Sequence, residues 1–117
     1  MSKIKQNVLQ DGKIVVLELS GNYVGGDETD DLRDAIKKLS ADGNTMLVID
    51  LGEVSYLNST ALGVLISAHA NYAKRSGKVK LCQLNKNIEN LFVITKLSLI
   101  FDTYPSQMEA VAAFSNV

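Results

Sequence analysis

The stretch Val54-Ser55-Tyr56-Leu57-Asn58-Ser59-Thr60-Ala61-Leu62-Gly63 decides how the chain is read, because a hydrophobic strand hands over to a long helix within it. Upstream, Met46-Leu47-Val48-Ile49-Asp50-Leu51 is a short unbroken apolar run, the pattern of a strand covered on both faces, and it is expected to lie at the centre of a sheet. Gly52-Glu53-Val54-Ser55 is expected to bend the chain out of that strand. Downstream, Leu62, Leu65, Ile66, His69 and Ala73 share one stripe of a helix expected from Ser59 to about Arg75, with Ser76-Gly77 closing it. Asn58, Ser59 and Thr60 stand at the join, and their short polar side chains suit the free N–H groups that begin a helix. The same helix end carries partial positive charge and favours an anion. A hydroxyl here has two uses: Ser59 can cap the helix, or it can accept and display a phosphate, while Asn58 can also cap or bond the loop.

Toward the N-terminus, apolar and polar residues alternate over Lys3 to Leu9 and Lys13 to Leu19, with Asp11-Gly12 as a hairpin signal between two antiparallel strands. Gly21 is expected to end the second strand and Asn22-Tyr23-Val24-Gly25-Gly26 to form a loop. Leu32, Ala35, Ile36 and Leu39 then recur at helical spacing behind Asp27, Glu28, Asp30 and Asp31, with Lys37 and Lys38 in the last turn and Asp42-Gly43 as the stop. Those acids match the helix dipole and read as a solvated helix start. Toward the C-terminus, Lys78 to Leu84 alternates as a strand, and Asn85 to Asn87 can cap a helix facing inward through Ile88, Leu91, Phe92 and Thr95. A last strand over Leu99 to Tyr104 stops at Pro105, and Ser106 with Glu109 forms a capping box before a closing helix anchored by Val111 and Phe114. Strands separated by amphipathic helices pair in parallel. The expected class is therefore α/β: one domain over residues 1–117, with a mixed β-sheet (an N-terminal antiparallel hairpin plus parallel strands) packed against about four α-helices.

Bulk properties narrow the functions. The 117 residues are 46% hydrophobic and 21% charged, an ordinary globular composition with enough apolar mass for a core. A formal net charge of −1 supplies no global field for nucleic acid or an acidic membrane, so neither is expected as a partner. A lone cysteine and a lone histidine leave no internal disulfide and no zinc-type ligand set, and no cofactor is expected. Cys82 reads as a small core residue, His69 as a buried imidazole, and Lys74, Arg75, Lys78 and Lys80 as a surface cluster. Met1 to Gln6 hold no apolar core for a secretory leader, and a cytoplasmic location is expected.

From Val54 to Gly63 the chain resembles the anti-sigma factor antagonists, the small STAS domains named for sulfate transporters and those antagonists. The family pattern runs hydrophobic, Ser, aromatic, hydrophobic, Asp, Ser, Ser or Thr, Gly or Ala, Leu, Gly. Gly21, Leu91-Phe92, Leu97 and Ile100-Phe101 also fall where the family has such residues. The resemblance implies a partner-switching protein without enzymatic activity. A serine kinase that doubles as an anti-sigma factor phosphorylates it, a phosphatase reverses the step, and only the unphosphorylated form holds the kinase. Carried onto this chain, the acceptor is Ser59, with Asn58, Ser59, Thr60, Ala61, Gly63, Asn22, Gly25 and Asp27 facing the partner. Asn58 replaces the family's usual aspartate, and Asn22-Tyr23-Val24 replaces an acid, hydrophobe and aspartate, which leaves Asp27 as the carboxylate able to stand in. A monomer or weak homodimer is expected.

Two other readings remain open on the residues. One is a STAS scaffold or adaptor in a signalling or transport complex, in which Ser59 is structural. The other is a nucleotide-binding module, for which the chain offers Gly25-Gly26 but neither G-x-x-x-x-G-K-[ST] nor G-x-G-x-x-G.

Overall fold

The computed structural model describes residues 3–10, 12–24 and 26–115. In chain order these form β1 (Lys3–Leu9), β2 (Ile14–Tyr23), α1 (Gly26–Ala41), β3 (Met46–Leu57), α2 (Ser59–Lys74), β4 (Lys78–Cys82), α3 (Lys86–Ile94), a 3-10 turn (Leu97–Leu99), β5 (Asp102–Tyr104) and α4 (Gln107–Ser115). The five strands lie in the order β1-β2-β3-β4-β5. β1 pairs antiparallel with β2, and every other pair is parallel, so the mixed α/β sheet with a leading hairpin and four helices is the fold observed. The hairpin closes with Lys13 N–H donating to Gln10 O at 3.2 Å, and Asp11, half of the expected turn signal, lies outside the described residues.

Alternation along the strands distributes the helices over the two faces. Val15, Leu17 and Leu19 of β2 and Leu47, Ile49 and Leu51 of β3 pack with buried residues of α1, α2 and α3. Ile14, Val16 and Val48 point the other way, with Cys82, under Ala110 and Phe114 of α4. β3 is thus covered on both faces in the middle of the sheet, which is what its unbroken apolar run requires.

Both central strands run further than their glycines suggest. β2 continues past Gly21 to Tyr23, and β3 passes through Gly52 to Leu57 instead of bending away. The register accommodates this by slipping between Glu18/Ser20 and Gly21/Asn22, so the glycines mark bulges inside the strands. A polar cluster pins the first slip. Asp50 accepts from Gly52 N–H at 2.8 Å, from Gln83 Nε2 at 3.0 Å and from Gln107 Nε2 at 2.5 Å, and Gln107 Nε2 also donates to Glu18 at 2.6 Å. A Cβ on Gly52 would lie 3.0 Å from both Asp50 Oδ1 and Gln83 Oε1, which explains the glycine. Burial, then the negative charges of Asp50 and Glu18, push the neighbouring Cys82 thiol up to about 12.

Other expectations shift at element ends. β4 stops at Cys82 because Gln83 turns left-handed at φ 59. β5 begins only at Asp102, since Leu97–Leu99 coil into the 3-10 turn and Leu99 is exposed. On α2 the buried stripe is Ala61, Leu62, Val64, Leu65, Ala68 and Tyr72, whereas Ile66 is 39% exposed and Ala73 faces outward. Thr95 is exposed, its hydroxyl donating back to Leu91 O at 2.7 Å. His69 is half-buried, edge-on to Phe101 with ring centroids 5.3 Å apart.

The basic cluster is divided. Lys74 and Lys78 are exposed, but Arg75 stacks on Tyr72 and donates to Asn44 O at 2.9 Å. Lys80 is 5% exposed, with its stem beneath α4 and its ammonium 3.2 Å from Asp102 Oδ2. Burial acts to raise the Asp102 carboxyl, but the hydrogen bond and charge of Lys80, aided by Lys78, outweigh it and hold the carboxyl below its ordinary value.

Two predictions follow from this packing. A depressed carboxyl contributes stability that is present above its unfolded value of about 3.9 and is lost as pH falls through the folded value. Asp102→Asn is therefore expected to flatten the acid limb of the stability profile below about pH 4, read by urea unfolding across pH; an acid limb as steep as the wild type's would contradict it. At Gly77 a Cβ would lie 2.6 Å from Thr45 O, whereas at Gly63 it would meet nothing within 4 Å. Gly77→Ala should cost about 1–3 kcal/mol in chemical denaturation, and Gly63→Ala, inside a helix, should gain about 0.5–1 kcal/mol.

Candidate functional site

The site forms where the ends of β2 and β3 meet the start of α2. Leu57 is buried, and the next amide, Asn58 N–H, donates to Tyr23 O at 2.9 Å, tying the two strand ends together. Tyr23 is itself fully buried, its hydroxyl donating to Lys3 O at 3.1 Å, and burial pushes the phenol up to about 12. Asn58 has extended backbone, φ −89°, and its Oδ1 accepts Ala61 N–H at 2.9 Å while its carbonyl accepts Leu62 N–H at 2.9 Å. Asn58 is therefore the N-cap, and Ser59 is already the first helical residue. The capping role open to Ser59 in the sequence is filled by its neighbour. Ser59 is exposed, and its hydroxyl has no hydrogen-bond partner among the described residues.

The other residues expected to face a partner divide by position. Thr60 is exposed and Gly63 half-buried on the outer side of α2. Ala61 is fully buried, so its side chain packs the helix onto the sheet and is not open to a partner. Asn22 is exposed near the end of β2, opposite Tyr56 in the register, and Asp27 is exposed in the first turn of α1. Gly25 lies outside the described residues. Around Ser59 the surface is partly apolar, with Tyr56 53% and Ile66 39% exposed.

A feature the sequence reading missed lies alongside. A groove of about 760 Å³ runs between α1 and α2, lined by Arg33, Ile36 and Lys37 on one side and Thr60, Gly63 and Val64 on the other. Its far end is crossed by Ser40 Oγ donating to Asn71 Oδ1 at 2.7 Å. Arg33 Nη1 is 2.7 Å from Asp30 Oδ1, an exposed pair on the same helix. The sequence signal was present, since Arg33 and Lys37 are spaced i,i+4, but only the helix pairing shows that they look toward Thr60. Among the described residues no group of three or more His, Cys, Asp or Glu could hold a metal ion. No described helix is long and apolar enough to cross a membrane.

The chain matches the STAS domain family over residues 5–110, and it belongs to that family. It is 35% identical to an anti-sigma-B factor antagonist of Listeria monocytogenes over 71 residues, 61% of this chain. That match spans 62% of the Listeria protein, less than two thirds of its length. An anti-sigma factor antagonist of Mycobacterium paratuberculosis is 26% identical, with a TM-score of 0.77 over 97% of this chain and 96% of that one. The anti-sigma factor antagonist SpoIIAA in its unphosphorylated form is 14% identical, with a TM-score of 0.79 over 98% of this chain and 100% of that one. Its phosphorylated form is 15% identical, with a TM-score of 0.76 over 96% and 99%. At those identities the likeness to SpoIIAA concerns the fold.

The division of labour at the helix start gives a stability prediction. Asn58→Ala should cost about 1 kcal/mol and Asn58→Asp should retain the cap, whereas Ser59→Ala should fall within about 0.5 kcal/mol of wild type in urea unfolding. A Ser59→Ala loss as large as that of Asn58→Ala would show that the serine shares the cap.

Proposed function

We propose that this protein is an anti-sigma factor antagonist of the partner-switching kind, whose docking to a serine kinase that doubles as an anti-sigma factor is controlled by reversible phosphorylation of Ser59. The observation that carries the reading is the uncommitted hydroxyl: Ser59 Oγ is exposed at the first helical position while Asn58 alone caps the helix. A kinase can engage that oxygen without unfolding the helix start. The family membership and the antagonists among the relatives support the same reading, as does SpoIIAA, which is found in unphosphorylated and phosphorylated forms.

The switch is local. Exposed Tyr56 and Ile66 give a partner apolar surface to bury beside Ser59. A phosphate brings about −1.5 to −2 charges and three acceptor oxygens, so burying it in such an interface adds desolvation and repulsion. Asn58, being neutral, offers no carboxylate beside the acceptor, so in this reading the base that takes the serine proton comes from the kinase.

Incubation with the cognate kinase and ATP, followed by peptide mapping in a mass spectrometer, tests the assignment. One phosphate on the peptide containing Ser59 is expected, absent from Ser59→Ala. Undiminished modification of Ser59→Ala would place the acceptor elsewhere, and no modification of either protein would favour the scaffold reading.

A further inference from the structure

We propose that two copies of this chain associate through β1, the two strands running antiparallel so that the sheets join across a two-fold axis at Gln6. The inference is independent of Ser59 and starts from the ends of the sheet. β1 and β5 are the outer strands. β5 is three residues long, and its Asp102 and Tyr104 side chains are already engaged by Lys80. β1 is seven residues long, contains no proline, and pairs with β2 without a slip in register from Lys3 to Leu9. Its side chains are exposed or half-buried along its whole length, which leaves room beside it for a further strand. A strand edge of this kind offers a row of backbone N–H and C=O groups to another chain.

The order of side chains selects the partner and the register. Lysines guard sheet edges against a further strand, and β1 carries two, Lys3 and Lys5, both in its first half. A parallel copy would set Lys3 against Lys3 and Lys5 against Lys5. An antiparallel copy instead brings up its second half, Asn7-Val8-Leu9, which has no charged side chain. Centred on Gln6, all seven residues overlap. Lys3 then meets Leu9 and Lys5 meets Asn7 on one face, while Ile4 meets Val8 on the other, and each pair occurs twice. Ile4 packs against the main core and Val8 is 54% exposed, so the Ile4–Val8 pairs cover apolar surface that a single chain leaves in water. The two Lys5 fall on a diagonal, about 7–8 Å apart, and each stands opposite Glu18 of its own hairpin. Moving the centre to Lys5 would set the two lysines face to face. Moving it to Asn7 would leave Lys3 and Ile4 unpaired and put Gln6 against Val8.

Full overlap supplies about six to eight backbone hydrogen bonds. One strand pair is well short of a permanent interface, so association in the range of about 10 μM to 1 mM is expected. β1 lies two strands from β3, whose end leads to Ser59, so each copy keeps that hydroxyl exposed and the pair presents two sites.

Sedimentation equilibrium of the full chain from about 10 μM to 1 mM tests the proposal. The mean mass should climb from one chain toward two. Gln6 is exposed, and Gln6→Lys and Gln6→Glu each set like charges face to face on the axis, so each should weaken association at least about threefold. An equimolar mixture of the two variants sets lysine against glutamate and should regain at least the wild-type affinity. Val93→Lys, on an α3 surface where Val93 is 63% exposed, should change nothing. A single-chain mass throughout the range would overturn the proposal, as would Gln6 variants that associate like the wild type or a mixture no tighter than either variant alone. Loss of association in Val93→Lys would move the contact to α3 and overturn it as well.

Discussion

The hydrogen bond from Ala61 N–H to Asn58 Oδ1 is the contact on which the site depends. It closes the start of α2, and Asn58 N–H reaching Tyr23 O fixes that start against the end of β2. With the cap supplied one residue earlier, the hydroxyl of Ser59 is left to solvent. An N-cap at Ser59 would tie the same oxygen to the backbone and make its modification cost helix stability. With Asn58 as the cap, a change of charge at Ser59 would leave the hydrogen bond that closes the helix start in place.

The rest of the fold brings that start to the surface. β3, like the first half of β2 beside it, has apolar cover on both faces, and the bulge held by Asp50, Gln83 and Gln107 lets it extend to Leu57 rather than turn away. Gln107 belongs to α4, so the last helix is joined by hydrogen bonds to the strand that carries the site. The groove between α1 and α2 follows from parallel β2 and β3, which place their following helices side by side with small residues, Gly63 and Ala68, between them.

Much of this was legible in the sequence. The apolar run at Met46–Leu51, the helical spacing of Leu32, Ile36 and Leu39, and the cap at Asn85, where Oδ1 accepts Ile88 N–H at 2.9 Å, all carry local signals that the structure follows. What was not legible depends on partners distant in the chain. Gly21 and Gly52 look like strand ends, but β2 and β3 run through them with slips in register, and beside Gly52 the slip is held by Asp50 with Gln83 and Gln107, residues distant in the chain. Lys80 looks like a surface charge, but Asp102 and α4 give it a buried place. At the site, the serine was visible from its setting, whereas the choice between Asn58 and Ser59 as the cap is a matter of backbone angle that both residue types satisfy equally. Arg33 and Lys37 were missed because nothing on α1 alone shows which helix it faces.

The central claim is that charge on one exposed hydroxyl decides whether a partner docks. Calorimetric titration of the cognate kinase with the full chain carrying either serine or phosphoserine at position 59 tests it most directly. The account predicts at least about a tenfold loss of affinity for the phosphorylated chain, the equivalent of about 1.4 kcal/mol; equal affinity for the two forms would contradict it.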